Sequence, residues 1–349
     1  MSDIPCSSTD PIPGRRDPAE EAIEEFAAIT GVDEALAHFF LQDYDFELQK
    51  GLNAYYRQQE REKTKAEKRA HESVDESDDD VVMLDAPDNT PKRVKLDTFP
   101  EDITVLSWNI DGLDGGNLET RLKGVTIIIA KENPEVILLQ EVVHAHMDTI
   151  NKRFGNMYCI VVPFDKGMPY FTVTMVSKNI VCRTQEVKPF GNTKMGRTMT
   201  VFDGYWRKLH LVVIHSHLES MREHAATRKA QFNECMKTLE KNIGSNTLVL
   251  FAGDLNIRDT EVGTLSPAVK DAWIAAGSDI KTKYTWDCKL NHNKGISPNV
   301  RCRFDRLYYA GVYKKVEFRL VGTSQINRIF CHPSDHFGIV CKFTEPIDK

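Results

Sequence analysis

The chain has 349 residues, 41% of them hydrophobic, which is enough for one large core and a small second module. Its 45 Lys+Arg stand against 51 Asp+Glu, a net charge of −6. No run of about 18 apolar residues argues for a membrane-spanning helix. The first residues lack the apolar core of a signal peptide, so an intracellular protein with no membrane partner is expected. The eight cysteines (6, 159, 182, 235, 288, 302, 331 and 341) are scattered without a Cys-x-x-Cys pair. Reduced thiols are expected rather than disulfides or a zinc site.

The charge is uneven. Residues 1–100 hold 12 Lys+Arg against 24 Asp+Glu, a net of −12, and the rest holds 33 against 27, a net of +6. An acidic front on a mildly basic body suits a body that meets a polyanion.

Residues 1–16 are poor in apolar side chains and are expected to be disordered. Over 17–60 the pattern turns helical. Asp17-Pro18 reads as an N-cap followed by proline in the first turn. Ile23, Phe26, Ala27 and Ile29 line a first helix that ends at Thr30-Gly31. Ala35, Leu36, Phe39, Phe40 and Leu41 line a second, and Leu48, Leu52, Tyr55 and Tyr56 a third. This small three-helix bundle resembles a ubiquitin-associated domain, and the resemblance implies ubiquitin as a partner. Residues 61–100 are charged and cannot build a core, so they read as a disordered linker. Within it, the acidic-then-apolar stretch over 78–85 resembles a SUMO-interacting segment. Lys92-Arg93-Val94-Lys95 reads as a nuclear import signal, which places the protein in the nucleus with some in the cytoplasm.

The large domain is expected over 101–349. Strands are predicted at 103–109, 135–141, 158–163, 171–177, 198–202, 209–215, 247–252, 303–309, 315–320 and 338–343. Helices are predicted at about 118–131 and 222–241. Many strands and few helices point to a mixed α/β fold with two packed sheets.

Polar residues gather at the ends of the strands. The apolar run 247–252 is followed by Gly253-Asp254-Leu255-Asn256. In an extended strand, positions two apart share a face, so Asp254 and Asn256 are expected to look into one cleft. Trp108-Asn109, Gln140-Glu141 and Ser216-His217-Leu218-Glu219-Ser220 close other strands, and Ser334-Asp335-His336 opens one. Such a set suits phosphodiester hydrolysis. A lone Glu can hold Mg²⁺, which keeps waters and substrate oxygens as its other ligands. An Asp can deprotonate the attacking water, and Asn and His donors can hold the phosphate oxygens.

In set and order, these motifs over 105–340 resemble the endonuclease/exonuclease/phosphatase superfamily. The resemblance implies an α/β four-layer sandwich of two packed mixed sheets flanked by helices. Ser107–Asp114, Ser216–Ser220, Gly253–Asp259, Tyr284–Asp287 and Arg303–Arg306 are similar to the branch that hydrolyses 5′-phosphotyrosyl DNA. That branch implies trapped topoisomerase 2 adducts as substrate, a 5′-phosphate product, Mg²⁺ with Mn²⁺ as its substitute, and a monomer. It further implies Asp254 as the water-activating base. Glu141 would be the metal ligand, joined directly or through water by Asp111. Asn109, Asn256, His336 and His217 would contact the scissile phosphate, with Asp335 supporting His336. Tyr170, Trp286 and Phe304 would line the DNA channel, with Arg197, Ser220, Arg222 and Arg258 on the backbone phosphates and Ile296 under the terminal base. The alternatives are an apurinic endonuclease or deadenylase of the same fold, or a ubiquitin-binding adaptor with an inactive large domain. Leu255 and Phe337 depart from the pattern without removing a group the reaction needs.

Overall fold

A computed structural model of the chain describes residues 18–30, 37, 41, 44, 46–52, 55, 98–163, 167–297, 299–327 and 329–347. The chain divides into two compact units, Met1–Asp78 and Asp79–Lys349. The expected disordered start, most of the predicted second helix (Ala35, Leu36, Phe39, Phe40), Tyr56, the 78–85 segment and the Lys92–Lys95 cluster lie outside the described residues.

In the first unit, helix α1 (Pro18–Thr30) carries acidic Glu20 and Glu21 in its first turn, where they oppose the positive end of the helix dipole. Ala22 and Phe26, four residues apart and so on one face, pack with Ala37, Leu41 and Leu52. Phe26 is fully buried and meets the Tyr55 ring edge-on at 5.6 Å.

The second unit is built on two six-stranded sheets. The first contains β1 (Asp102–Asn109), β2 (Val136–Val142), β3 (Tyr158–Val161), β4 (Phe171–Ser177), β13 (Tyr313–Val321) and β14 (Gly338–Pro346), in the order β13-β14-β1-β2-β4-β3. The second contains β5 (Val181–Pro189), β6 (Thr198–Trp206), β7 (Leu209–Ser216), β8 (Thr247–Asp254), β9 (Lys270–Asp271) and β12 (Asp305–Gly311), in the order β5-β6-β7-β8-β12-β9. A two-stranded ribbon joins β10 (Trp286–Asp287) and β11 (Arg301–Cys302). Helices α2 (Leu118–Glu132) and α3 (His144–Phe154) cover the first sheet, and α4 (Ala225–Lys241) covers the second. The short α5 (Ala272–Ala275) follows β9.

Period-two alternation sorts each central strand between two cores. Ile103 and Val105 of β1 join Leu211, Val213, Leu248 and Leu250 between the sheets, while Leu106 and Trp108 face the helix-side core with Leu122, Val125 and Ile129. On the other sheet, Val212, Ile214, Val249 and Phe251 meet Phe232, Met236 and Leu239 of α4. The layers are therefore helix, sheet, sheet, helix, as expected from the sequence.

Each sheet has one parallel pair at its centre, β1 with β2 and β7 with β8, and antiparallel partners outside it. Parallel neighbours end on the same side. Asn109, Glu141, Ser216 and Asp254 thus sit at the carboxyl ends of the two central pairs. A polar layer lies just beneath them: Gln140 Nε2 donates to Ser107 Oγ at 3.1 Å and lies 2.8 Å from His215 Nε2, whose Nδ1 is 2.8 Å from Thr174 Oγ1. Burial pushes His215 down to about 3, so this layer is uncharged at neutral pH.

Besides the short β9, β10, β11 and α5, two longer elements escaped the sequence reading. β5 is an edge strand exposed along almost its whole length, so it shows no hydrophobic alternation. α3 buries only His146, Ile150 and Phe154, a stripe diluted by polar residues.

Candidate active site

The site grows from local backbone chemistry. β2 pairs with β4 as far as Leu139↔Val173 and resumes at Val142↔Phe171, one residue out of step. This bulge places both Leu139 and Val142 in the helix-side core, and Glu141 takes a left-handed φ of 54°. Strict alternation would have left Glu141 on the face of Leu139; the bulge turns it toward Asn109 instead. At the end of β8, Gly253 has φ 149°, and a Cβ there would stand 1.8 Å from the Ser216 carbonyl oxygen. Only glycine lets β8 lie this close to β7.

Asn109 is the hub. Its Nδ2 donates to Glu141 Oε1 at 2.9 Å and to Asp254 Oδ2 at 3.0 Å, while its Oδ1 accepts the Asp111 N–H at 3.0 Å. The Asn109 carbonyl accepts from Ser334 Oγ at 2.6 Å, and Ser334 Oγ accepts the His336 N–H at 3.1 Å. Trp108 Nε1 donates to the His336 carbonyl at 2.9 Å. The Ser334-Asp335-His336 loop is therefore stapled to the end of β1.

Asp254 Oδ2 also lies 3.3 Å from His217 Nε2 and 3.8 Å from His336 Nε2. Burial, with Asp305 and Glu141 adding negative charge, pushes the Asp254 carboxyl up to about 7 against the pull of His336 and Asn109. That value suits a base working near neutral pH. His217 Nδ1 lies 2.8 Å from Arg197 Nη1. Arginine can only donate, so His217 Nδ1 accepts and its proton sits on Nε2. Burial and the Arg197 charge hold His217 neutral, well below the usual histidine range. His336 is the opposite case. Its Nδ1 is 2.8 Å from Asp305 Oδ2, and the carboxylates of Asp305, Asp254 and Asp335 overcome the cost of burial to hold it protonated.

One sequence expectation is refined and another corrected. The carboxylate bonded to His336 is that of Asp305; the adjacent Asp335 supports the imidazolium through its charge alone, and its Oδ2 accepts Trp286 Nε1 at 3.1 Å. Asp254 and Asn256 do not share a strand face, because β8 ends at Asp254 and Asn256 is left-handed with φ 49°. Asn256 instead gives its backbone N–H to Asp254 Oδ1 at 3.1 Å and its Nδ2 to the Leu218 carbonyl at 3.2 Å.

The side chains expected to meet DNA cluster as well. Trp286 and Phe304 lie 5.9 Å apart, Phe304 and His336 6.5 Å, and the Arg258 guanidinium stands 5.9 Å above the Phe304 ring. On the opposite flank Arg197 stands 5.3 Å from the Tyr170 ring centre, and Tyr170 lies 6.3 Å from the His217 ring. Arg222 is exposed and Ile296 half-buried on their loops. Leu255 and Phe337, the two departures from the pattern, are buried.

The model of the endonuclease/exonuclease/phosphatase family matches residues 106–336, the span that holds all of these groups but Phe337, which follows it directly. The chain belongs to that family. A UBA-like domain model matches residues 20–62. Among relatives, the 5′-tyrosyl-DNA phosphodiesterase of Caenorhabditis elegans is 40% identical over 93% of this chain and 87% of its own length. Tyrosyl-DNA phosphodiesterase 2 of Homo sapiens is 34% identical over 91% of this chain and 90% of its own. A crystal structure of D. rerio TDP2 complexed with single-strand DNA product superposes with TM-score 0.65 at 32% identity, covering 70% of this chain and all 100% of that one.

Members of an endonuclease/exonuclease/phosphatase family imply a divalent metal, and the donors test that implication. Glu141, His217 and Asp254 bring ligand atoms within 4.8 Å of one another, as do Asp254, Asp305 and His336. His217 fits poorly as a ligand, because Arg197 Nη1 donates to its Nδ1 and leaves the proton on Nε2, the atom that faces Asp254. Glu141 fits. Its carboxylate is buried, raised in pKa by burial and by Asp335, and is oriented by Asn109. Asp111 is less open, because its carboxylate receives Lys294 Nζ at 2.8 Å and lies 3.5 Å from Arg121 Nη1.

Sequence reasoning passed over Asp305 and Lys294. Asp305 had a signal: it opens a strand antiparallel to β8, and the ladder sets it directly across from Asp254. Lys294 had none, since a lysine in a polar loop looks like solvated charge. Also unforeseen was the bracing by α4. Its fully buried Arg228 donates to the carbonyls of Glu219 and Met221 and pairs with Glu261 at 2.7 Å, and Gln231 Nε2 donates to Glu219 Oε2 at 2.9 Å. Glu261 in turn accepts the Arg258 N–H at 2.9 Å.

Proposed function

We propose that this chain is a metal-dependent DNA repair phosphodiesterase that hydrolyses the 5′-phosphotyrosyl bond of topoisomerase 2 adducts and leaves a 5′-phosphate. The observation that carries the reading is the convergence of Asn109, His217 and His336 on one oxygen of Asp254, a buried carboxyl set near neutrality. The names of the two relatives support the choice of substrate.

Asp254 takes the proton of the attacking water. As the phosphate gains charge, His217 offers the Nε2 proton that Arg197 keeps in place, and His336 offers an imidazolium proton. Asn109 and the Asn256 N–H hold the base in one orientation. The leaving tyrosine has a pKa of about 10, far below that of a sugar hydroxyl, so its departure needs less help from an acid. Mg²⁺ at Glu141, with Mn²⁺ as its substitute, would neutralise charge on the phosphate oxygens. Trp286 and Phe304 supply faces on which bases stack, and Arg258, Arg197, Ser220 and Arg222 supply phosphate contacts.

The UBA-like region supports ubiquitin binding through residues 17–60. SUMO binding through 78–85, a monomeric state, and nuclear residence with a cytoplasmic fraction complete the proposal on sequence grounds. The deciding assay is incubation with a 5′-phosphotyrosyl oligonucleotide and Mg²⁺. Release of tyrosine, lost in Asp254→Asn, is the expected result. Preferential cleavage of an abasic duplex or of poly(A) would assign a different phosphodiester, and metal binding without turnover on any of the three would leave an adaptor.

A further inference from the structure

Between β5 and β6 a short loop carries Met195, whose thioether sulfur is the common acceptor of two side chains to which the proposed function gives phosphate contacts. Ser220 Oγ donates to Met195 Sδ at 3.1 Å, and Arg197 Nη2 donates to it at 3.5 Å. The other arm of the same guanidinium, Nη1, holds His217. A thioether is a weak acceptor, so it orients both donors at little cost to their release toward a phosphate. Met195 is half-buried and reachable from solvent.

The loop gives Met195 little room to withdraw. Thr193 Oγ1 donates to Glu219 Oε2 at 2.9 Å, the Lys194 N–H donates to Glu219 Oε1 at 2.7 Å, and the Arg197 N–H donates to Thr193 Oγ1 at 2.8 Å. The Phe190 N–H closes the loop on the Arg197 carbonyl at 3.1 Å. Glu219 itself is fully buried and held by Gln231. Gly196, at φ 67°, has the Met168 methyl 3.2 Å from where its Cβ would stand, which packs the loop from the other side.

We propose that Met195 is a reversible oxidation site that governs engagement of the DNA 5′ end, a proposal that rests on the DNA-binding reading above. With hydrogen peroxide as oxidant, a sulfur lone pair attacks one peroxide oxygen, the O–O bond breaks and an S–O bond forms. The other oxygen leaves as hydroxide and takes the proton from the new S–OH to become water, so the sulfur loses two electrons and the peroxide gains them. The product sulfoxide carries a strong acceptor oxygen where a weak one stood. Because the loop is pinned, that oxygen meets the two donors already aimed at the sulfur. The guanidinium then forms a charge-assisted bond inside the protein. Arg197 and Ser220 are held off the phosphate, and the Arg197 arm that fixes His217 is strained with them.

The test uses the full chain, oxidised with hydrogen peroxide, and a fluorescent 5′-phosphorylated single-stranded oligonucleotide, with binding read by anisotropy. Peptide mapping follows Met195 and Met168 separately. The expected result is a loss of affinity on the order of tenfold, as for one lost charge-assisted hydrogen bond, in step with Met195 sulfoxide. Methionine sulfoxide reductase should restore it, and a thiol reductant alone should not, which separates it from cysteine oxidation. The ratio of oxidised to reduced affinity should collapse toward one in Met195→Leu and persist in Met168→Leu. An equal loss in Met195→Leu overturns the proposal, as does full Met195 sulfoxide with unchanged binding, or no binding in either state. Tyrosine release by the untreated protein is measured alongside. Its absence would refute the assigned reaction while the binding ratio still decides the role of Met195.

Discussion

Asp305 lies directly across from Asp254 in the antiparallel β8–β12 ladder, and His336 reaches both, with Nδ1 2.8 Å from Asp305 Oδ2 and Nε2 3.8 Å from Asp254 Oδ2. Two like charges facing each other across a ladder are unfavourable. The histidine between them resolves the conflict by staying protonated. One carboxylate therefore sustains an imidazolium, and the other stays available as a base.

The pH profile of kcat/KM should report this division. Activity should rise as pH passes about 7, where Asp254 loses its proton. It should fall on the alkaline side, well above the usual histidine value, as His336 deprotonates. Asp305→Asn removes the nearest charge sustaining His336. Its alkaline limb should move down toward 6.5, with a loss on the order of 10²-fold at the optimum. An unmoved alkaline limb would show that another group titrates there.

A divalent ion should stabilise the fold. The Glu141 and Asp254 carboxyls are both raised by burial, and each is raised further by a neighbouring carboxylate. A raised carboxyl keeps its proton in the folded state after the unfolded chain has lost it, so its contribution falls as pH climbs from the unfolded pKa through the folded one. At pH 8 the metal-free protein should thus gain Tm on adding Mg²⁺, and gain less at pH 5.5. Glu141→Gln should raise the metal-free Tm while blunting the Mg²⁺ response and tyrosine release together. A full Mg²⁺ response in that variant would move the metal elsewhere.

Much of this arrangement was legible from the chain. The central strands declare themselves by continuous apolar runs such as Thr247–Ala252, and the carboxyl ends of parallel strands are where polar residues gather. What was hidden depended on departures from period. The β2 bulge that re-aims Glu141 and the left-handed Asn256 both break the alternation from which their facing would be read. Partners distant in sequence were hidden too. Nothing near Ser334-Asp335-His336 says that the histidine turns to Asp305 and leaves Asp335 to Trp286.

Trp286 holds two roles that substitution can separate. Its ring sits 5.9 Å from Phe304, which suits the proposed stacking of a base, and its Nε1–H fixes Asp335. Trp286→Phe keeps a stacking face and loses the hydrogen bond, so it should lower kcat more than it raises KM for a tyrosyl oligonucleotide. Trp286→Ala loses both, and stacking is worth ~1–3 kcal/mol per base. Its KM should therefore rise by roughly tenfold or more beyond that of Trp286→Phe. Equal KM values for the two variants would remove Trp286 from the DNA channel.

Lys294 ties the 288–297 loop to the loop that follows β1. Its Nζ lies 2.8 Å from Asp111 Oδ1 and 3.2 Å from Asp114 Oδ2, with the Asp111 carboxylate fully buried. Asn291 Nδ2 and Asn293 Nδ2 fasten the same loop to the carbonyls of Ser334 and His332. Lys294→Met removes one partner of a buried ion pair, which typically costs about 3–5 kcal/mol. The cost should grow with pH. Burial and Asp335 already push Asp111 up to about 8 with the lysine present, and without it the folded state must keep that carboxyl protonated still higher. Urea unfolding at pH 6 and pH 9 reads both parts of this expectation. A small, pH-independent loss would mean that Asp111 and Asp114 reach water once the ammonium is gone, and that the loop is held by its asparagines alone.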